Sequence, residues 1–413
     1  MAKILGFRIR NFRMLRDVTL GSLLNQKGAG ELTPMTAVIG KNGSGKSTLF
    51  DAFGFLSDCL KFGVEEACDR RNGFERIITQ GVKEPLMFEV YYREEQNDFP
   101  LTYQVSIALD KHARPYVKNE SLQKFMEGQD GGCFPFLTLQ EGSGMTWTGK
   151  YKFKIEPDIK KFNMEESGEV DYIDLQDNRK LGIATLGALK QHPRIAAFRQ
   201  FIEGWYLSYF APDAARSLPL AGPQKHMNIH GDNLGNVVQF MEREHPEQFK
   251  KILEDIAEKI PGIEKISTER MSDGRLLLKF NDKGFIDPFS AQQMSDGTLK
   301  VFAYLLLLSD PTPPPFICIE EPENGLYHKL LETLAKQFRA FTTDGNEKSQ
   351  IFITTHQPYF VDALDSEEVW ILKKGDDGFS TIHRASEDTI VKDLVSEGLP
   401  LGGLWYSDYF DKI

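Results

Sequence analysis

The chain has no long apolar run: the longest, near Val301 to Leu308, is too short to cross a bilayer, and Met1–Gly6 lacks the apolar core of a secretory signal. A cytosolic protein with no membrane partner is expected. Cysteine is scarce, four residues in 413, and Cys59, Cys68, Cys133 and Cys318 are scattered, which suits reduced, mostly buried thiols better than disulfides or a zinc site. A basic surplus is missing too. The net charge is −11, so contact with DNA would need a local cationic patch or a partner. No heptad register persists over several turns, which excludes a long coiled coil.

What is present is a globular chain, 41% hydrophobic and 26% charged, longer than one core usually organises. The apolar run Thr36-Ala37-Val38-Ile39 ends in Gly40-Lys41-Asn42-Gly43-Ser44-Gly45-Lys46-Ser47-Thr48, and Leu49, Phe53, Leu56 and Leu60 follow at helical spacing. Strand, glycine loop and helix form the context of a phosphate-binding P-loop. Its glycines turn backbone N–H groups inward, Lys46 reaches the β and γ oxygens, and Ser47 offers a hydroxyl to Mg²⁺. ATP and Mg²⁺ are the expected ligands.

Near the other end, four apolar residues precede two acids in Phe316-Ile317-Cys318-Ile319-Glu320-Glu321-Pro322-Glu323-Asn324. This pattern describes a buried parallel strand that delivers carboxylates to its C-terminal edge, with Glu320 for the metal's hydration shell and Glu321 to polarise the attacking water. A second apolar strand, Gln350 to Thr355, ends at His356, a candidate γ-phosphate sensor. Between loop and carboxylates, Gln293-Met294-Ser295-Asp296-Gly297-Thr298 opens an apolar helix. Ser295 is the expected N-cap, and Gly297 with the exposed N–H groups makes a second anion site. One chain cannot easily bring both anion sites onto one triphosphate, whereas two chains packed head to tail can.

The ordered set GKNGSGKST, QMSDGT, FICIEEPEN and FITTH resembles the ABC-type ATPases of the SMC, RecF and Rad50 group, especially its compact OLD-like members; the opening Gly6-Phe7-Arg8-Ile9-Arg10-Asn11-Phe12-Arg13 resembles the group's first strand, and the closing LGGLWYSDYF the compact members. The resemblance implies an α/β fold: a P-loop head with a flanking antiparallel β-sheet and an inserted helical lid or arm. It implies an ATP-sandwiched homodimer, or a higher oligomer, in which Ser295 and Gly297 reach the opposite subunit's nucleotide. Glu321 would then be the catalytic base, His356 the switch histidine, and Asn324 and Gly325 part of the loop that couples the two sites. Glu320 stands where most relatives carry Asp. Gln80 is the positional candidate for the metal-linked glutamine, and a plain turn residue is the competing reading.

Three segments are expected: 1–180 with the P-loop and antiparallel sheet, 181–285 as the helical insertion, and 286–413 with signature, carboxylates and switch histidine. Within them, Leu86 to Leu109 alternates as a hairpin around Asn97-Asp98, and Phe134 to Ile155 suggests further strands. Asp232 is a plausible cap for the amphipathic helix bearing Leu234, Val237, Val238 and Met241. Glu368 to Leu372 and Ser380 to Arg384 read as terminal strands. His226 and His230 with Asp232 could bind a metal, but Gly231 to Leu234 reads better as a loop and helix start. Arg179, Lys180, Lys190, Arg194 and Arg199, interleaved with Phe198, Phe201 and Trp205, offer either DNA contact or a solvated helix face.

The roughly 30 residues after the terminal strands hold no second acidic cluster of the kind a Toprim nuclease needs. Together with the missing effector, the resemblance implies a switch ATPase of a DNA-linked defence module against phage or plasmids, with a separate nuclease or toxin as effector. An autonomous RecF-like repair ATPase that binds DNA directly is the alternative. A transporter's nucleotide-binding subunit is a third, disfavoured by the Asp-Gly-Thr signature.

Overall fold

A computed structural model describes residues 2–24, 30–95, 99–125, 133–149, 152–153, 164–165, 168–260, 262–343 and 349–412. The chain divides into two compact units: residues 1–205, 365–399 and 409–413 form the first, 206–364 and 400–408 the second. This division differs from the three segments expected. Residues 181–205 belong with the P-loop's unit rather than with a helical insertion, and so do the strands Val369–Lys374 and Ser380–Arg384.

The first unit is built on an eight-stranded antiparallel sheet. In spatial order its strands are Gly168–Asp174, Ser143–Gly149, Cys133–Gln140, Pro115–Phe125, Leu101–Leu109, Leu86–Arg93, Lys3–Phe12 and Leu15–Gly21. Alternation of apolar and polar residues gives it one dry face. The hairpin read from 86–109 pairs Leu86 with Ile107 and Tyr92 with Leu101; its Asn97-Asp98 turn lies outside the described residues. Onto the dry face packs the helix Lys46–Phe62 that follows the P-loop. Phe53 stacks on Phe7 at 4.4 Å between ring centroids, and Phe55 lies 5.6 Å from Phe12 and 5.8 Å from Phe88. Two rings of the helix against three of the sheet thus fix the phosphate-binding helix, each ring contact adding about 0.5–1.5 kcal/mol beyond area burial. The strand Met35–Ile39, wholly buried, runs parallel to Val369–Lys374, which pairs antiparallel with Ser380–Arg384.

The second unit carries a parallel trio: Phe316–Glu320 lies between Tyr206–Ser208 and Gln350–Thr355. Buried on both faces, these strands read as continuous apolar runs. Helices Leu234–Glu244 and Pro246–Lys259 bury Val238, Met241, Phe249, Ile252 and Ile256. An antiparallel set, Ile263–Arg270, Leu276–Asp282 and Phe289–Ser290, follows them, so the inserted region is mixed helix and sheet. The capping residue of Leu234–Glu244 is Asn233, not Asp232. Its side chain tethers the preceding loop instead of the helix: it accepts from the Asn228 N–H at 2.8 Å and donates to Gln224 and to the His226 carbonyl.

Candidate functional site

The P-loop sits in the first unit, between the strand Met35–Ile39 and the helix Lys46–Phe62. Gly43 and Gly45 hold φ of +81° and +105°, a conformation that a side chain would strain. A Cβ on Gly40 would fall 2.4 Å from Ser44 Oγ and 2.5 Å from the Leu372 carbonyl oxygen, so the loop closes on itself too tightly for any other residue. Lys46 is only 5% exposed; its ammonium donates to the Gly40 carbonyl at 2.8 Å and to that of Lys41 at 3.4 Å, which holds the cation over the loop. No side chain caps the helix, the arrangement that presents first-turn N–H groups to an anion. Lys41, Asn42, Gly43 and Ser47 face solvent, Thr48 half so. From outside, Ser380 Oγ donates to the Ser44 carbonyl at 2.7 Å and braces the loop. Ser380 also lines a cleft of about 320 Å³ with Arg10, Asn11, Arg16 and Phe379, the Arg16 guanidinium lying 5.4 Å from the centre of the Phe379 ring.

The Asn-Phe-Arg turn ties this helix to a neighbouring segment. Asn11 and Arg13 adopt left-handed backbone, with φ of 63° and 49°. Arg13 pairs with Asp51 of the helix at 2.9 Å, and the half-buried Arg71 bridges Asp51 and Asp58, each at 2.8 Å. On its other side the turn receives the Thr79 hydroxyl on the Arg13 carbonyl at 2.7 Å, while Asn11 donates to the Pro85 carbonyl at 2.9 Å. Gln80 follows Thr79 in an exposed turn, and no hydrogen bond among the described residues joins it to the P-loop.

The carboxylates and the signature belong to the second unit. Glu320 ends its strand half-buried, in register with Thr354. Glu321 departs from the strand at φ +43°, a strained conformation for a non-glycine residue and one that re-aims its carboxylate. One carboxylate oxygen lies 3.2 Å from His356 Nδ1, and the other accepts from the Asn324 amide at 2.8 Å. The strand-end histidine and the second acid therefore meet, as their parallel strands require. His356 is anchored in turn by Trp405, whose indole N–H donates to its carbonyl at 3.1 Å.

Glu323, to which the sequence analysis gave no role, is the buried member of this group, 3% exposed. Its Oε1 accepts from the Thr355 hydroxyl at 2.7 Å and the His356 N–H at 3.0 Å, and lies 3.5 Å from His356 Nδ1. Burial raises its pKa above the usual carboxylate range, although these donors pull the other way. An acid three residues beyond a strand end resembles any solvated turn; only the neighbouring strand's Thr-His end reveals its partner.

Ser295 caps the helix Asp296–Leu308 as expected, its Oγ accepting from the Thr298 N–H at 3.2 Å. Arg216 holds Asp296 at 2.5 Å and also donates to the Met294 carbonyl, fixing the segment's entry. Gly297 faces the turn after the carboxylates so closely that a Cβ would stand 2.9 Å from the Gly325 carbonyl oxygen.

Two other candidates are spent on structure. His226 pairs with Asp310 at 2.7 Å and His230 with the Tyr209 carbonyl, and no cluster of three or more acids, histidines and cysteines placed to hold a metal occurs among the described residues. Along 179–205, Phe198, Phe201 and Trp205 are buried in the core. Arg179, Arg194 and Arg199 pair with Glu65, Glu94 and Glu203. That stretch presents no aromatic face for bases to stack on.

A P-loop with its lysine folded over it, and a parallel-strand edge bearing paired carboxylates and a histidine, define a P-loop ATPase. The fold agrees with that of SMC heads: a solved SMC head bound to the C-terminal winged-helix domain of ScpA superposes with a TM-score of 0.55 at 14% identity, over 92% of this chain and 97% of that one. An SMC head from Pyrococcus furiosus with an extended coiled coil, bound to the C-terminal domain of ScpA, gives 0.51 at 13% identity, over 96% and 100%. By sequence the chain belongs to the AAA_21 family, described as "AAA domain, putative AbiEii toxin, Type IV TA system", whose model matches residues 35–139 and 152–362. No curated protein matches the chain by sequence. No helix among the described residues is long and apolar enough to cross a membrane.

Proposed function

We propose that this ATPase works as a dimeric switch: two copies close head to tail on two ATP molecules, hydrolysis reopens them, and a separate effector reads the change. The observation that carries the catalytic half is the pairing of Glu321 with His356 at 3.2 Å, both at the ends of buried parallel strands. Glu321 is assigned as the base that orients and deprotonates water, His356 as the γ-phosphate sensor.

The residues suit a magnesium nucleotide. The loop has two left-handed glycines, a desolvated lysine and an uncapped helix N-terminus, and Ser47 and Glu320 are oxygen ligands of the hard type Mg²⁺ takes. Gln80 would complete the metal's surroundings. When bound, the ion neutralises charge between the β and γ oxygens. Lys46 and the loop N–H groups hold the phosphates, and Ser295 with Gly297 of the second copy completes the enclosure.

The family description names a toxin and a toxin–antitoxin system, which supports a role in defence against phage or plasmids with a nuclease or toxin as partner. That both solved SMC heads carry a bound domain of ScpA supports a partner protein docked on a head of this fold.

Replacing Glu321 by Gln tests the assignment. Turnover should fall by about 10²–10⁴-fold while ATP still binds, so that an ATP-bound dimer accumulates in sedimentation. Hydrolysis at the wild-type rate would remove Glu321 from the role of base.

A further inference from the structure

Lys300 lies in the interior of the signature helix, flanked by the buried Leu299, Val301 and Phe302, and is itself only 7% exposed. An ammonium at such a position costs several kcal/mol unless it is paired, and an apolar residue would satisfy the packing. The lysine instead donates to the Asn324 carbonyl at 2.8 Å. Burial pushes its pKa down, opposed by Glu323, Asp296 and Glu321.

The bonds continue from there. Asn324, whose carbonyl Lys300 holds, gives its side-chain amide to Glu321 at 2.8 Å and its backbone N–H to the Glu321 carbonyl at 3.2 Å. The turn from Glu321 to Gly325 begins and ends on left-handed residues, Glu321 at +43° and Gly325 at +80°; at a non-glycine residue such a conformation persists only where its surroundings hold it. Gly297, one helical turn before Lys300, packs on the same turn through the close approach to the Gly325 carbonyl. The signature helix therefore touches this turn twice, once by backbone packing and once by a charged hydrogen bond.

We propose that Lys300 is a positioning residue for Glu321, and that through it engagement of Ser295 and Gly297 is felt at the catalytic carboxylate. This inference rests on the reading of Glu321 as the base. Lys300 acts through the chain: it fixes the carbonyl of Asn324, whose side chain fixes the carboxylate. A misplacement of the order of 1 Å at a reacting group costs about 10²-fold in rate, so the clamp belongs to kcat and not to ATP affinity.

The test compares wild type, Lys300→Met, Lys300→Gln, Lys300→Arg and Glu321→Gln in one steady-state ATPase assay, with ATP affinity measured separately by fluorescent-nucleotide titration. Lys300→Met should lower kcat by about 10–100-fold with ATP affinity unchanged, and Lys300→Arg, which keeps a charged donor, should recover most of the loss. Lys300→Gln replaces Lys300→Met in the comparison if the methionine variant does not fold. A folded Met or Gln variant that turns over at the wild-type rate overturns the proposal, as does an Arg variant no better than the uncharged ones. If Glu321→Gln is inactive while Lys300→Met is fully active, only the Lys300 inference fails. If Glu321→Gln is active, the reading of Glu321 fails first.

Discussion

The two halves of the nucleotide machinery are made of different materials. In the first unit the phosphate cradle is backbone: glycine conformations, a helix terminus, and one lysine whose partners are main-chain carbonyls. In the second unit the chemistry is side chain against side chain, with Glu321, Glu323, Asn324 and His356 bound to one another and a buried lysine beneath them. A backbone cradle tolerates little change in sequence but needs few long-range contacts. A side-chain cluster depends on every neighbour that orients it. Defects in the first half should therefore appear as lost nucleotide affinity, defects in the second as lost turnover at full affinity.

The largest break in this comparison comes from Lys46→Ala. Removing the cation that Lys46 holds over the loop should weaken ATP binding by about 100-fold or more. Isothermal titration measures it, and retained affinity would mean that the phosphates are held elsewhere.

A smaller effect sharpens the other side. Glu323→Gln keeps an acceptor for Thr355 and the His356 N–H but removes the charge beside the imidazole, so kcat should fall about tenfold with ATP affinity intact. The same variant has a pH signature. Because the folded-state pKa of Glu323 is raised, the stability it contributes is present below the ordinary carboxylate pKa and is lost as pH rises through the folded value. The glutamine variant should lose less stability over that rise than wild type in denaturant titrations at a series of pH values. An equal loss would show that Glu323 titrates normally.

The same contrast explains what the sequence revealed. The P-loop was readable because glycine spacing encodes backbone shape locally, and the strands Phe316–Glu320 and Gln350–Thr355 because burial on both faces writes an unbroken apolar run. Ser295 as a cap follows from local chemistry in the same way. Glu323 and Lys300 were not readable. Each sits beside residues of ordinary type, and its meaning depends on a partner 33 or 24 positions away. Asp232 misled for a related reason: its neighbour Asn233 takes the capping position while its own side chain serves the loop. The basic run at 179–199 offers no stacking surface because its aromatics are core, and its arginines pair with Glu65, Glu94 and Glu203. The division at 205/206 and 364/365, with further crossings at 399/400 and 408/409, was hidden because the chain leaves the first unit and returns to it.

The central claim is that each ATP is held by the loop of one copy and the signature of another. It is tested most directly by mixing two inactive variants, Lys46→Ala and Ser295→Arg. In a head-to-tail heterodimer one site collects both defects, and the other combines the intact loop of the Ser295→Arg chain with the intact signature of the Lys46→Ala chain. ATP turnover, absent from each variant alone, should reappear on mixing; a mixture as inactive as its components, or a Ser295→Arg protein active by itself, would contradict the account.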